Sequence, residues 1–283
     1  MKKLLSLTKP GIIMGNIITV SGGYFLGAQG NPNFLVFLFT LIGMSFVMAC
    51  GCVLNNYIDR DIDQLMERTK KRPSAQGLIP PKIIFIYAAF LGILGLLTLE
   101  EFTNNLTTII ALIGLIFYVG FYTLWLKRTS VYGTIIGGIA GAVPPVVGYC
   151  AATNFIDAGA ISVFCILFLW QIPHSFAIAI YRKNDYENAD IPVLPIAKGI
   201  AYTKVNMLIY IAIFIFAAIM PSVLGYTGVP YFIVAFLLSG YWLFLGLKGL
   251  KFDSSNDAPW ARKMFLFSII VITGLSIMMV INS

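Results

Sequence analysis

The sequence predicts an all-α, polytopic membrane protein, nine transmembrane helices in a bundle around a central cavity that opens to the cytoplasm. The chain of 283 residues is 59% hydrophobic and only 11% charged, with a mean hydropathy of +0.87, far outside the range of a soluble domain of this length. Nine apolar runs are each long enough to cross about 30 Å of hydrocarbon. When these runs are threaded in order, all 19 Lys and Arg residues fall on one side.

The runs cover residues 11–29, 34–56, 83–99, 106–125, 131–152, 159–180, 205–225, 229–249 and 263–281. Lys2, Lys3 and Lys9 precede the first, and every other cation follows an even-numbered run. The odd-numbered loops carry only Glu100, Glu101 and Asp157. The positive-inside rule therefore puts the amino terminus in the cytoplasm and the carboxyl terminus on the opposite side of the membrane, a multi-pass arrangement. The first run is too long for a signal sequence and lacks a small-residue cleavage site, so it is expected to remain as a span. The net charge of +7 is dispersed over loops facing one leaflet. It suits anionic headgroups and an anionic substrate, and gives no support to nucleic-acid binding. Cys50, Cys52, Cys150 and Cys165 fall at hydrophobic depth, as small buried residues without a disulfide or zinc framework.

A single domain over 1–283 is expected, with two long cytoplasmic loops, near 57–82 and 181–204, carrying its chemistry. Four spans separate them, consistent with two parallel four-helix halves and a ninth helix, although no residue-level repeat supports a duplication. The fifth span, from Gly133 to Pro145, is crowded with small residues and then broken by Pro144 and Pro145. Small residues there either let helices approach closely or leave volume for a bulky planar substrate.

The second span runs directly into Asn55-Asn56-Tyr57-Ile58-Asp59-Arg60-Asp61-Ile62-Asp63. At about 100° per residue Asn55, Asp59 and Asp63 form one oxygen-bearing stripe about 12 Å long, while Asp61 points elsewhere. Hard oxygen ligands suit Mg²⁺, which bridges protein carboxylates to substrate phosphates. Arg68, Lys70, Lys71, Arg72 and Lys127 would neutralise the remainder of a diphosphate. Asp61 and Glu67 are expected to pair with nearby cations. In the second loop Asp185 is the expected further metal ligand, while Glu187 and Asp190 are left as either ligands or partners of Arg182 and Lys183. His174, the only histidine, follows Pro173, which should kink the sixth span. If that helix continued to Asp185, His174 and Asp185 would share a face and a cavity.

These residues resemble the intramembrane aromatic prenyltransferases, whose signature is Asn-x-x-x-Asp-x-x-x-Asp after the second helix. The resemblance runs nearly end to end, through Thr8-Lys9-Pro10-Gly11, Asn55 to Pro73, Leu126-Lys127-Arg128, Ala142 to Gly148, Trp170 to His174, Asp185-Tyr186 and Trp260-Ala261-Arg262-Lys263. Pro173-His174 and Asp185-Tyr186 are similar to the haem-farnesylating branch. Position 189 is Ala, where most of the superfamily completes a second Asp-x-x-x-Asp.

The branch implies transfer of the farnesyl group of farnesyl diphosphate to a vinyl group of haem B, with addition of water, giving haem O for terminal oxidases. Asn55, Asp59, Asp63 and Asp185 would hold Mg²⁺, and His174 would ligate haem iron or orient the water. Membrane lipid surrounds such an enzyme, and a haem A synthase or terminal oxidase would receive its product. The alternative acceptor is a quinone-precursor aromatic acid. A transporter fits less well, because its ion sites usually lie near the midplane, and these carboxylates cluster at one mouth.

Overall fold

The computed structural model describes residues 2–251 and 254–282. Among these, nine helices are long and apolar enough to span a membrane: α1 (Pro10–Ala28), α2 (Phe34–Ile58), α3 (Pro81–Phe102), α4 (Asn105–Thr129), α5 (Gly133–Thr153), α6 (Ala158–Tyr181), α7 (Ile200–Val223), α8 (Val229–Gly249) and α9 (Asp257–Asn282). No strand occurs among the described residues. Helices satisfy every backbone group internally, which hydrocarbon demands.

Local sequence sets where they start. Asn33, Asn104 and Asp157 cap α2, α4 and α6, each side-chain oxygen accepting from backbone N–H groups of the first turn, while α1, α3 and α8 begin with proline in the first turn. Both devices fit orphan N–H groups at a helix start. α7 and α9 begin earlier than their apolar runs, and the reason is one buried ion pair. Lys204 Nζ lies 2.5 Å from Asp257 Oδ1 with both side chains at most 10% exposed, and it also donates to Gly249 O at 2.8 Å. The pair clasps α7, α8 and α9 at one end.

α5 is the hub and packs on α1, α2, α4 and α6. A methyl on Gly23 would sit 2.0 Å from Pro145 O, and one on Gly148 would sit 2.1 Å from Val20 O, so only glycine permits this α1–α5 contact. Contrary to the sequence expectation, Pro144 and Pro145 do not break the helix: α5 runs through both. They remove the donors that would bond the carbonyls of Ala140 and Gly141, and both of those residues line the cavity described below. α6 likewise runs through Pro173. The expected close packing of small residues holds on the face toward α1, while Gly137, Ala140 and Gly141 lie on the face that lines the cavity.

The two charged loops begin alike. α2 ends at Ile58, Asp59 is a one-residue hinge, and a short helix follows over Arg60–Leu65. α6 ends at Tyr181, Arg182 is the hinge, and a short helix follows over Lys183–Asn188.

Candidate active site

At this end of the bundle a cavity of about 400 Å³ opens between α1, α2, α4, α5 and α6. Its deep wall is apolar, with Met44, Val47, Ala111, Leu115 and Val143, and Gly137, Ala140 and Gly141 flatten one side. Helices α3, α7, α8 and α9 contribute nothing to its lining, so the cavity belongs to part of the bundle rather than to its geometric centre.

Of the expected metal ligands, Asn55 and Asp63 line the cavity at its mouth, while Asp59 and Asp185 are buried beside it and are absent from its lining. The Asp59 hinge keeps both flanking hydrogen bonds of a helix, Asp59 N to Asn55 O at 2.9 Å and Asp63 N to Asp59 O at 2.8 Å. Asn55, Asp59 and Asp63 are thus held in their predicted stripe, all under 5% exposed. Asp61 points away, with its side chain 62% exposed and paired to Arg128. That guanidinium holds the Asp61 carboxyl down to about 2. Glu67 pairs with Lys70. Both pairings follow the sequence expectation.

Each buried polar group already faces a cation or a donor. Lys127 bonds Asp59 Oδ2, Arg72 Nη1 bonds Asp63 Oδ2 at 2.7 Å, and Lys9 donates to Asn55 Oδ1. Asn55 Nδ2 in turn donates to Asp59 Oδ2 at 2.8 Å and to Thr123 Oγ1 at 3.1 Å. Asp185 Oδ1 accepts from the backbone N–H of Glu67 at 3.0 Å, joining the second loop to the first. Two carboxylate oxygens, Asp59 Oδ1 and Asp185 Oδ2, are buried with no hydrogen-bond partner, Asp59 Oδ1 keeping only an ion pair with Arg128 Nη2 at 3.7 Å. Buried carboxylate oxygens short of donors fit a hard divalent cation. Among the described residues no three His, Cys, Asp or Glu side chains stand close enough to form a complete metal cage.

Lys9, Arg68, Arg72 and Lys127 line the cavity, whereas Lys70 and Lys71 do not; the last two are exposed. Lys9 belongs to the matched Thr8-Lys9-Pro10-Gly11 segment but is not among the expected site residues, because it lies 46 residues from Asn55 in sequence. Its backbone is left-handed, φ 52°, a conformation that side chains other than Gly, Asn and Asp rarely adopt. Burial lowers its ammonium to about 8. Nothing in the sequence pattern points to Tyr118 or Tyr122. Phe117–Leu126 within α4 is a π-helix of ten residues, and it carries Tyr118 and Tyr122 into the cavity wall with rings stacked 6.1 Å apart. Tyr186 lines the cavity from the second loop, and burial raises its phenol.

His174 requires a correction. The helix does not continue past Tyr181, so the azimuth linking His174 to Asp185 does not apply. His174 is absent from the cavity lining; its ring stacks 4.4 Å from Trp170 and 5.0 Å from Phe265, and Nδ1 lies 2.7 Å from Ser268 Oγ. It joins α6 to α9. Gln171 and Ser175 are the polar residues of that segment that reach the cavity.

Position 189 explains its own departure. Ala189 is 5% exposed within an apolar cluster of Ile62, Met66 and Ile191 that closes one loop on the other. Asp190 N bonds Glu187 O and Ile191 N bonds Tyr186 O, a Schellman C-cap that puts Asp190 in the left-handed conformation, φ 51°. Asp190 is thus an exposed cap, and Glu187 pairs with Lys183.

A carboxylate and cation mouth on an apolar intramembrane chamber is the arrangement of a membrane-embedded prenyltransferase. The chain belongs to the UbiA prenyltransferase family, which matches residues 16–269. It is 52% identical over 281 residues to the protoheme IX farnesyltransferase of Yersinia pseudotuberculosis serotype O:1b (strain IP 31758), covering 99% of this chain and 95% of that one. The same identity and coverage hold for the protoheme IX farnesyltransferase of Photorhabdus laumondii. Its fold is that of a digeranylgeranylglyceryl phosphate synthase, with a TM-score of 0.80, 20% identity and coverage of 99% and 98%. It also resembles a UbiA homolog from Archaeoglobus fulgidus bound to DMAPP and Mg²⁺, with a TM-score of 0.70, 15% identity and coverage of 95% and 99%.

Proposed function

We propose that this chain is a haem O synthase, a single catalytic domain over 1–283 that transfers the farnesyl group of farnesyl diphosphate to a vinyl group of haem B with addition of water. The observation that carries the reading is the cluster of buried carboxylates, with Asp59 Oδ1 and Asp185 Oδ2 free of hydrogen bonds, beside cations that line an apolar chamber. End-to-end identity to protoheme IX farnesyltransferases supports haem as the acceptor.

Asn55, Asp59, Asp63 and Asp185 would hold Mg²⁺, which when bound withdraws electron density from the diphosphate. Lys9, Arg68, Arg72 and Lys127 take up the leaving diphosphate, the cations now on Asn55, Asp63 and Asp59 exchanging these partners for phosphate oxygens. Lys70 and Lys71 contribute at longer range, as charge near the entrance. The C–O bond of the allylic diphosphate breaks as the terminal vinyl carbon bonds farnesyl C1. The carbon next to the macrocycle is left positive, water adds there, and the released diphosphate accepts the proton. The apolar wall keeps other water from the allylic cation. The flat side made by Gly137, Ala140 and Gly141 gives a planar acceptor room to lie.

Orientation follows the cationic loops, with the amino terminus cytoplasmic and the carboxyl terminus periplasmic in the inner membrane. The product passes to a haem A synthase or a terminal oxidase.

The test is incubation of detergent-solubilised protein with haem B, farnesyl diphosphate and Mg²⁺, with and without chelator, followed by mass spectrometry of the haem. A chelator-sensitive product heavier by one farnesyl group and one water is expected, and Asp59→Asn should abolish it. Folded protein that leaves haem unmodified but prenylates 4-hydroxybenzoate would move the acceptor to a quinone-precursor acid.

A further inference from the structure

A second depression lies on the outer surface, between α8 and α9, at the same end of the bundle as the active-site mouth. It encloses about 540 Å³ and is lined by Tyr241, Leu245, Leu266, Phe267 and Ile270, with Arg262 and Lys263 among its walls. Its floor includes an edge-to-face pair, Tyr241 and Phe267, with centroids 5.0 Å apart. From Lys263 to Ile270 it runs about 10 Å along α9 into the hydrocarbon, within the span of a single leaflet.

The charge at its mouth is not neutralised within the described residues. Every salt bridge among them uses other cations. Arg262 leans on the Tyr181 ring at 5.9 Å, on the same ring that Arg182 covers at 4.4 Å. A guanidinium resting on an aromatic face keeps its full charge for an anion. Arg262 and Lys263 are both exposed, and the apolar side chains beyond them, Leu266 and Ile270, are 50% and 56% exposed.

From this juxtaposition we propose that the α8–α9 groove is a binding site for an anionic phospholipid of the surrounding leaflet. Arg262 and Lys263, with Arg182 behind them, hold the headgroup phosphate, and an acyl chain lies along Leu245, Leu266, Phe267 and Ile270. Basic pockets between membrane helices select anionic headgroups in this way. The groove is separate from the active-site cavity, whose lining it does not share, so this site is independent of the catalytic reading.

Native mass spectrometry of the full-length protein, exchanged from detergent into nanodiscs of phosphatidylglycerol and phosphatidylcholine in equal parts, tests it. The parent protein should retain phosphatidylglycerol in preference to phosphatidylcholine, and 10 mM inorganic phosphate should not displace it. Arg262→Gln with Lys263→Gln should weaken the preference on the order of 25-fold, about fivefold for each cation lost near the leaflet surface. Ile270→Trp, which fills the exposed groove without entering the core, should also release the lipid while both cations remain. Equal retention of the two lipids by the parent would overturn the site. So would an unchanged preference in folded double variant and Ile270→Trp proteins.

Discussion

Replacing Ala189 with Asp would restore the second Asp-x-x-x-Asp of the wider superfamily, and the structure says that the change should damage the enzyme. Ala189 is 5% exposed among Ile62, Met66 and Ile191, which are themselves at most 8% exposed. Docking these three side chains contributes at most about 5 to 9 kcal/mol of apolar burial. An unpartnered carboxylate at their centre costs several kcal/mol, a large share of what closes the loops. If about 3 kcal/mol of that cost falls on the docked state, kcat/KM for farnesyl diphosphate drops about a hundredfold. Initial rates and hydrogen exchange of the amides of residues 183–193 would be measured together, because undocking also releases Asp185 from the Glu67 N–H. Ala189→Ser, adding one hydroxyl that can bond a local carbonyl, should change the rate less than about threefold. Parent-like rate and exchange in Ala189→Asp would mean that position 189 faces the diphosphate, and the docking argument would fail.

Lys204→Met should cost about 3 to 5 kcal/mol of stability by leaving Asp257 buried and unpaired, while Lys204→Met with Asp257→Leu recovers most of it; equal midpoints in a denaturant titration would contradict this. His174→Ala should lower stability by about 1 to 3 kcal/mol through lost packing on Trp170 and Phe265, with haem affinity unchanged. Lost haem affinity at parent stability would return His174 to the acceptor site. Lys9 releases its proton near pH 8 in the folded chain, against 10.5 for an ordinary lysine. Between those values the unfolded chain binds more protons, so the stability of metal-free protein rises with pH. Lys9→Met should flatten that rise in unfolding titrations, and a rise that survives the substitution would have another source.

The nine spans were legible because hydrocarbon imposes one length and one polarity on every crossing helix, and the Asn55, Asp59 and Asp63 stripe because it is local and periodic. Where hydropathy failed, at the starts of α7 and α9, Lys204 and Asp257 are hidden by pairing with each other, a contact between positions more than fifty residues apart. Lys9, 46 residues before the Asn55 it bonds, entered only through the resemblance, because no local pattern ties it to the motif. His174 misled because its proline-marked segment is unusual, and its azimuth was projected through a hinge at Arg182 that no apolar pattern announces. The Schellman cap at Asp190 and the apolar setting of Ala189 depend on the first loop folding over the second.

The π-helical stretch of α4 does more than widen that helix. In an ordinary α-helix the nine steps from Tyr118 to Lys127 turn through about 900°, which would leave the two on opposite sides. With i→i+5 bonding, about 4.4 residues per turn, the same nine steps complete roughly two turns and bring Lys127 back to the face of Tyr118. The wide coil therefore works as a phase shifter, delivering an ammonium group to Asp59 from a wall that also presents two tyrosines. Removing Leu124, which does not line the cavity, would leave every side chain of the site in the sequence and turn Lys127 about 65° from its present face.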